Sequence, residues 1–400
     1  MPRSRMAILG AGPIGLDAAL AGVDAGWEVT VYEAAPTVAA NVRAWGHVRL
    51  FTPWSMNVSD RMRDHLARAA LDVPVGDAPT GHEFADRVLD PVAAALGEAV
   101  RTGVRVLGVT RAGLLKHEAI GVPARADGPF RLLLTDGDEE WSENADLVID
   151  TTGSYGAANP LGDGGLPAAG EARHADRITR TIPDLVRDGS WAGRTTLLVG
   201  AGKSAQTAAR DLAGQVSRAP GTRVIWAVRD PDPDWGAIPG DTLPDRQALV
   251  DTATALHAGA VDGVEVRTGV VVDALRAGSG SLVATLRDGH GRAEEVRADR
   301  VLGLTGFFGD TGLYRRLQVH ECYATGAPMN LSAALLAAAG EGPADCLAQP
   351  AQGVDVLRSP EPDFFVLGMK SYGSNSAFLL RIGYAQVDEV VGAYRAAIAS

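Results

Sequence analysis

Short apolar runs alternate with glycine turns and small-residue helices, and the first such series lies at the start of the chain. The pattern predicts a strand over Met6–Leu9, the turn Gly10-Ala-Gly-Pro-Ile-Gly15, a helix through Ala25 and a strand over Glu28–Glu33. Parallel strands need a crossover connection, and a helix between two apolar strands supplies it. The series therefore predicts a βαβ unit.

The same series recurs in the middle of the chain. A strand over Thr195–Val199 leads into Gly200-Ala-Gly-Lys-Ser-Ala205, a helix ending near Gly214 and a strand over Arg223–Val228. This segment predicts a second βαβ unit.

Two further strands end in a Thr-Gly pair. Buried strands are predicted over Ala145–Asp150 and Arg300–Leu304, and they run into Thr152-Gly153 and Thr305-Gly306. Because glycine has no Cβ, such a loop lets the backbone lie flat against a cofactor. The remaining predicted elements are a helix over Phe84–Val100, strands over Val104–Thr110, Phe130–Thr135 and Phe364–Leu367, a helix from about Ala377, and loops over Asn159–Gly170 and Pro231–Pro244.

Together these elements predict a doubly wound α/β protein with two Rossmann-like domains, the second inserted in the first. The predicted domains are residues 1–190 with 305–400, and residues 191–304. Hydrophobic residues make up 46% and charged residues 22% of the chain, which is typical of globular proteins. No apolar run approaches the roughly 20 residues that cross a bilayer, and the apolar start is too short for a signal peptide. We therefore expect a cytoplasmic protein that does not bind membranes.

Charge and cysteine content argue against several classes of protein. A net charge of −12 disfavours nucleic-acid binding, which needs a basic surface. Cys322 and Cys346 form no Cys-x-x-Cys pair, which disfavours a disulfide reductase with its own dithiol. The histidines show no metal-binding spacing, so no metal is expected.

The first glycine turn has the spacing of a dinucleotide-binding fingerprint. Gly10 allows a tight turn, Gly12 lets a pyrophosphate approach the backbone, and Gly15 lets helix and strand pack closely. Pro13 and Ile14 complete the turn, and the amides at the helix start bind phosphate. Glu33 ends the next strand, about 20 residues on, where a carboxylate accepts hydrogen bonds from a ribose. The alternative is a helix start with incidental glycines.

The second turn repeats this logic with one informative difference. Gly200 and Gly202 are followed by Lys203, Ser204 and Ala205, and alanine is a permitted third member of the fingerprint. The next strand ends in Arg229 instead of an acid. An arginine there binds a 2′-phosphate, which favours NADPH over NADH. The alternative is that Arg229 is a solvated residue at a strand end.

With these motifs in place, the chain resembles the class B flavoprotein monooxygenases, which include flavin-containing monooxygenases and ornithine or lysine N-hydroxylases. The segment from Trp191 to Ala205 is similar to the family's entry into its second nucleotide domain, and both Thr-Gly pairs resemble its interdomain linkers. The resemblance covers nearly the whole chain. It implies FAD in the first domain, NADPH in the second, and oxygen transfer from a flavin hydroperoxide.

The chain departs from the family pattern at two places. Gly170 and His174 keep the spacing of the family's identifying motif, but Ala168 and Ile178 replace its aromatic residues. Near the C-terminus, Gly368-Met-Lys370 stands where many relatives carry Gly-Asp. The first departure leaves the subfamily undetermined. The second leaves undetermined which residues at the C-terminus bind the flavin.

The segment from Trp45 to Asn57 is dense in aromatic residues although the chain is only 6% aromatic. In a fold of this type it runs beside the flavin, and aromatic walls with a few polar groups suit a substrate pocket. We expect Trp45 to contact the cofactor, Trp54 and Asn57 to shape the catalytic site, and His47 to carry a proton. The resemblance implies that Asn57 lies near the oxygen adduct of the flavin. The alternative is that the aromatic residues form core between domains.

The loop that returns to the flavin before the last helix carries Lys370, Ser371 and Asn375. A lysine near the pyrimidine end of the flavin would stabilise the negative charge that appears on reduction. The alternative is that Lys370 faces solvent. Trp235, in the loop over 231–244, either covers the nicotinamide or forms an interface.

These observations favour an FAD- and NADPH-dependent monooxygenase that uses O2 and acts on a small substrate with a nucleophilic nitrogen or sulfur. One alternative is an NAD(P)H-dependent reductase without oxygenation. Another, from a different class, is a nucleotide-sensing flavoprotein with little turnover. The substrate and the oligomeric state stay open, with a homodimer among the alternatives.

Overall fold

The computed structural model of the protein describes residues 4–73, 75–339 and 353–399. These residues form two compact units. The first unit combines the segment up to Ala157 with the segment from Phe308 onwards, and the second comprises Ala158–Phe307. The second unit is thus inserted in the first. Cys346 lies outside the described residues.

The strands and helices are numbered along the chain. The strands are β1 Arg5–Leu9, β2 Glu28–Glu33, β3 Val100–Thr102, β4 Arg105–Arg111, β5 Phe130–Thr135, β6 Glu140–Ala145, β7 Leu147–Asp150, β8 Ala157–Ala158, β9 Ile178–Thr179, β10 Thr195–Val199, β11 Arg223–Ala227, β12 Val264–Arg267, β13 Val270–Ala277, β14 Leu282–Asp288, β15 Ala293–Ala298, β16 Arg300–Gly303, β17 Phe307–Phe308 and β18 Phe364–Val366. The helices are α1 Pro13–Asp24, α2 Ala40–Ala44, α3 Trp54–Asn57, α4 Asp60–Arg68, α5 Gly81–Phe84, α6 Asp90–Leu96, α7 Lys203–Arg218, α8 Pro244–His257, α9 Met329–Ala339, α10 Val354–Leu357 and α11 Leu380–Ala399.

The core of the first unit is a parallel sheet with the strand order β18-β7-β1-β2-β3. Strand β1 lies at its centre and is buried on both faces. Met6 and Ile8 pack into one core cluster with α1 and α11, whereas Ala7 and Leu9 pack into another with the antiparallel sheet β4-β5-β6. Double burial is typical of parallel strands, and it explains the continuous apolar run that predicted β1.

The second unit repeats this arrangement. Its parallel sheet has the order β12-β11-β10-β16-β9, and the antiparallel sheet β13-β14-β15 shares a core cluster with β10 and β16. The unit begins at Ala158, before the boundary predicted at residue 191, because β9 pairs in parallel with β16. The sheet over β13–β15 was not predicted from the sequence.

The helix predicted over Phe84–Val100 is interrupted and displaced. It begins at Gly81, where Thr80 and Glu83 form a capping box, and it passes through a π-helical turn over Ala85–Leu89. Val100 already belongs to β3, which pairs with β2. An edge strand of three residues is too short to produce a period of its own.

A buried carboxylate joins helices of the first unit. Asp17 of α1 is fully buried, accepts a hydrogen bond from Ser59 at 2.5 Å and pairs with Arg61 of α4 at 2.8 Å. Arg61 also pairs with Asp388 of α11. Burial raises the pKa of Asp17 to about 6, although Arg61 and Ser59 oppose the rise.

This raised pKa predicts that Asp17 makes folding more favourable as the pH falls. The native carboxyl binds its proton near pH 6 and the unfolded one near 3.8, so the stabilisation is complete below the lower value and is lost as the pH rises through 6. The shift corresponds to about 3 kcal/mol. Urea denaturation between pH 4 and 7 should show a smaller pH dependence for Asp17→Asn than for the wild-type protein. Equal dependence in the two proteins would contradict this.

Candidate functional site

The first glycine turn connects β1 to α1. Gly10 has φ +96°, and a Cβ on Gly15 would lie 2.0 Å from the Gly10 carbonyl oxygen and 2.7 Å from Thr151 Oγ1. These two glycines are required by the protein's own packing. A Cβ on Gly12, in contrast, would meet no atom within 4 Å. Gly12 therefore borders free space at the carboxyl end of the sheet.

The N-terminus of α1 faces this space without a cap from its own chain. Gly12 is the N-cap residue, Pro13 occupies the first turn, no side chain caps the helix and no acidic residue lies in the first turn. The first amides of a helix lack acceptors within it and attract anions. Ile14 points the other way and is buried against Gly368 and Gly383.

Glu33 supports the turn from the end of β2. Its Oε2 accepts a hydrogen bond from the amide of Ala11, and its Oε1 accepts one from the amide of Ala35, both at 2.8 Å. A carboxylate has about four acceptor sites. Glu33 thus fixes the glycine turn and retains lone pairs for other donors.

A buried ion pair lies at the end of β7, near the first glycine turn. Lys370 Nζ donates to Asp150 Oδ2 at 2.6 Å and to Thr152 Oγ1 at 3.0 Å, and both charged side chains are at most 2% exposed. Thr152 donates from its amide and hydroxyl to Asp150 Oδ1. Lys370 therefore does not face solvent, and Asp150 neutralises its charge. Asp150 was not predicted as a site residue, although an acid at the end of the apolar strand β7 is a signal for one.

Ser371 and Asn375 are turned into their own loop. The Ser371 hydroxyl donates to the Gly368 carbonyl at 2.7 Å and accepts from Gln386 Nε2, while Gln386 Oε1 accepts from the Gly368 amide. Asn375 Oδ1 accepts from the amide of Ala377. The two residues predicted to contact the cofactor shape the approach to α11, and Gln386 was not predicted.

The aromatic segment packs mainly within the first unit. Trp54 is 5% exposed and meets Phe84 edge-on, with 6.4 Å between ring centroids. A Cβ on Gly81 would lie 2.7 Å from the Trp45 ring, so this ring covers the start of α5. Both tryptophans therefore fit the alternative that the aromatic residues form hydrophobic core. This core lies within the first unit, whereas the alternative had placed it between domains.

Asn57, the last residue of α3, bonds through its side chain to the loop that precedes this helix. Its Nδ2 donates to the carbonyls of Thr52 and Pro53 at 2.6 and 3.1 Å, and its Oδ1 accepts from the Thr52 hydroxyl at 2.6 Å. Both amide protons are therefore used within the loop. His47 differs, because its Nε2 is buried and has no hydrogen-bond partner in the part of the chain that the structure describes.

The second glycine turn, between β10 and α7, repeats the first. A Cβ on Gly200 would lie 2.2 Å from the Leu304 carbonyl oxygen, whereas one on Gly202 would meet nothing within 4 Å. No side chain caps α7 and no acidic residue lies in its first turn. Ala205 is fully buried and Ser204 is exposed. Thr305 donates to the Asn159 carbonyl at 2.6 Å, and the Gly306 carbonyl accepts from the Asn159 amide.

Lys203 holds the loop that follows β11. Its Nζ donates to the carbonyls of Trp235 and Gly236 at 2.9 and 3.3 Å. Burial, with the nearby positive charge of Arg246, lowers the pKa of Lys203. Trp235 is buried inside the second unit, and its ring lies on Trp226 with 4.8 Å between centroids.

Arg229 and the partial Gly-His motif lie in the second unit. Arg229 follows β11 and is exposed, and its guanidinium has no hydrogen bond or ion pair to any described residue. Gly170 has φ +85°, and a Cβ there would lie 2.2 Å from the Leu275 carbonyl oxygen. Gly170 therefore has a packing role against β13, and His174 is half-buried.

No family model matches the chain, and no curated protein matches it. Among solved structures, a bacillithiol disulfide reductase from Bacillus cereus is similar, with a TM-score of 0.70 and 16% identity over 99% of both chains. The reduced ornithine hydroxylase from Pseudomonas aeruginosa has a TM-score of 0.63 and 15% identity over 99% of this chain and 100% of that one. A thioredoxin reductase from Lactococcus lactis has a TM-score of 0.60 and 13% identity over 100% of both chains.

These likenesses confirm the predicted fold class, an α/β protein with two Rossmann-like domains. They extend over practically the whole chain and include both reductases and hydroxylases. Within the described ranges, no helix is long and apolar enough to cross a membrane.

Proposed function

We propose that the protein is an oxidoreductase that binds FAD in the first unit and NADPH in the second, and that it transfers one oxygen atom from O2 to a nitrogen or sulfur nucleophile. The observation that carries the proposal is the pair of uncapped helix N-termini at Gly12 and Gly202. Each stands at the carboxyl end of the central strand of a parallel sheet, where this class of fold binds nucleotides. A similar ornithine N-hydroxylase from Kutzneria sp. 744 was solved with reduced FAD, NADP+ and L-ornithine.

The residues of the first unit fit FAD. The space over Gly12 and the free amides of α1 suit the pyrophosphate, and Glu33 has lone pairs for the ribose hydroxyls. Bound FAD would supply the redox chemistry, taking up hydride and passing electrons to O2. The chain holds the cofactor and excludes water, and His47 Nε2 is the atom we propose to carry a proton at this site.

The residues of the second unit fit NADPH. The space over Gly202 and the amides of α7 suit the pyrophosphate, and Lys203 adds positive charge beside them. Arg229 is exposed and unpaired within the described ranges, so its planar guanidinium is available to a 2′-phosphate.

Cysteine content favours oxygenation over disulfide reduction through an internal dithiol. Such a reductase passes electrons through two neighbouring cysteines, and this chain has two cysteines in all, at positions 322 and 346. Cys322 is 2% exposed, so its thiol is hidden from a large disulfide substrate.

A second candidate is an NADPH-dependent reductase without oxygenation. The observation that favours it is Asn57, whose two amide protons both bind carbonyls of its own loop. The resemblance had implied a donor at this position for the oxygen adduct, and in this arrangement Asn57 offers none.

Arg229→Ala tests the choice of nicotinamide cofactor. Losing a bidentate contact to the 2′-phosphate should weaken NADPH binding about 10- to 100-fold, because a charge-assisted hydrogen bond contributes about 1.5–3 kcal/mol. NADH lacks this phosphate, so the KM for NADH should change less than about twofold. KM values for both cofactors measure the effect, with Arg223→Ala, an exposed arginine at the start of the same strand, as the control. An equal loss for both cofactors would contradict a specific 2′-phosphate contact.

Rapid mixing distinguishes the proposed functions. FAD-loaded protein is mixed with NADPH under argon and then with O2, while the flavin absorbance is recorded. Fast bleaching followed by delayed reoxidation, with an oxygenated product from amine or sulfide substrates, supports the monooxygenase. Fast bleaching with immediate reoxidation and peroxide release supports the reductase. FAD binding without bleaching would overturn both and leave a nucleotide-sensing protein.

A further inference from the structure

A cavity of about 560 Å³ lies on the first unit, and no residue of a glycine turn lines it. Its apolar wall comprises Leu107 of β4, Leu115 and Leu313. Leu107 sits in an irregularity of the β4–β5 pairing and is 42% exposed, and Leu115 is 62% exposed. The two exposed leucines give this one cavity a contiguous apolar surface. The residues around this cavity form what we call the basic cleft.

Basic residues surround this apolar wall. Lys116, His117, Arg315 and Arg316 all line the cavity and are exposed. Lys116 Nζ donates to the Arg315 carbonyl at 3.1 Å and so joins the two edges. Neither the Arg315 nor the Arg316 guanidinium has a hydrogen bond or ion pair to a described residue. Two free arginines at one cavity are notable in a chain of net charge −12.

Glu118, Asp310 and Glu321 are acidic groups near these arginines, and none of them forms an ion pair with Arg315 or Arg316 in the part of the chain that the structure describes. Glu118 Oε2 accepts a hydrogen bond from the amide of Leu115 at 2.8 Å, and Asp310 Oδ1 accepts one from the amide of Gly312 at 2.8 Å. Both of these carboxylates are thus bonded to the backbone of their own turns. The positive charge of the cleft is left for an external anion.

A buried network holds one edge of the cleft in place. Glu361 is 1% exposed and accepts from two arginines, Arg111 at 3.1 Å and Arg125 at 2.7 Å, which are equally buried. Arg125 in turn donates to the carbonyls of Leu115 and Glu118 at 3.1 and 2.9 Å. Two guanidinium groups with one carboxylate leave a positive charge beneath the cleft.

The same network reaches the other edge. The amide of Gln318 donates to Glu361 at 2.8 Å, and its side chain donates to the carbonyls of Lys116 and Glu118 at 2.7 and 3.0 Å. Gln318 lies three residues from Arg315. Apolar residues in place of a buried ion network are often as stable or more so, so the network is weak evidence of a role in stability alone. It does fix two surface segments so that their leucines and cations border one cavity.

We propose that the basic cleft binds an anionic amphiphile, a small molecule with one carboxylate or phosphate head and a hydrocarbon body. The head would pair with Arg315 and Arg316, and the body would cover Leu107 and Leu115. Arginine suits both head groups because its fork matches their oxygens. The inference is independent of the proposed redox function, since no residue of either glycine turn lines the cleft.

Calorimetric titration of the full protein with decanoate and decyl phosphate tests the proposal. We expect saturable binding of one molecule per chain for at least one of them, and the stronger of the two identifies the head group. Inorganic phosphate lacks the hydrocarbon body and decanol lacks the charged head. Each should therefore bind at least about tenfold more weakly than the amphiphile. The double variant Arg315→Ala/Arg316→Ala should bind the amphiphile about tenfold or more weakly than the wild-type protein does.

Two further variants keep the test specific. Arg292→Ala removes an exposed arginine of the second unit that pairs with Asp288, and it should leave binding unchanged. Leu115→Gln should weaken the amphiphile but not inorganic phosphate. The proposal is overturned if neither amphiphile binds, if the double arginine variant binds as the wild-type protein does, or if phosphate alone binds as tightly as decyl phosphate.

Discussion

Gly12→Ala is expected to leave the apoprotein as stable as the wild-type protein and to weaken FAD binding about 10- to 100-fold, or roughly 1.4–2.8 kcal/mol. A Cβ on Gly12 meets no protein atom within 4 Å, and the backbone there has φ −82°, which alanine adopts freely. The added methyl group would instead occupy the space proposed for the pyrophosphate. Quenching of flavin fluorescence measures the affinity, and urea denaturation of the apoprotein measures the stability.

Gly15→Ala is the matched variant, three residues away on the same turn. Its Cβ would lie 2.0 Å from the Gly10 carbonyl oxygen, so β1 and α1 would have to separate. We expect a loss of about 3 kcal/mol in the free energy of unfolding, at the upper end for overpacking because a backbone atom is in the way. Unchanged FAD affinity in Gly12→Ala would refute the proposed pyrophosphate position. Equal stability of the two variants would refute the packing argument.

Lys370→Met is expected to reduce the free energy of unfolding by about 3–5 kcal/mol, because it leaves the Asp150 carboxylate buried without its cation. The pair is 2.6 Å apart and at most 2% exposed. Thr152, which is bonded to both partners, should also shift, so FAD affinity should fall as well. Urea denaturation and FAD titration measure the two effects.

The double variant Lys370→Met/Asp150→Asn is the control for this prediction. It removes the uncompensated charge while an amide at position 150 still accepts from Thr152, so it should recover part of the lost stability. Arg358→Met, which removes an exposed cation of the same unit, should change stability by less than about 0.5 kcal/mol. A single variant as stable as the wild-type protein would show that the pair is not a buried ion pair in solution.

The glycine turns were predictable because each depends on neighbouring residues. Strand, turn and helix of a βαβ unit follow one another within about 30 residues, so the pattern at Met6–Glu33 contains all that is needed. The structure has β1, α1 and β2 where this pattern placed them. The antiparallel sheet β13-β14-β15 was not predicted, because its short strands pair across turns and a local pattern does not state which segments pair.

Side-chain roles were less predictable than positions. The sequence singled out Asn57 and Ser371 but not the groups that their side chains bind, because those partners depend on how the surrounding segments fold. Lys370 meets Asp150, which is 220 residues away along the chain. No local pattern contains such a contact.

The sequence by itself determined the α/β class, the two glycine turns and the acid and arginine that follow them, because short-range periodicity and glycine spacing specify these features. Tertiary structure alone decided which polar groups stay free. It paired Lys370 with Asp150, turned Asn57 inward, left Arg229 and His47 Nε2 without partners in the described ranges, and assembled the basic cleft. The physical reason is that hydrogen bonds and ion pairs form between whatever groups folding brings within about 3 Å, regardless of their separation in sequence.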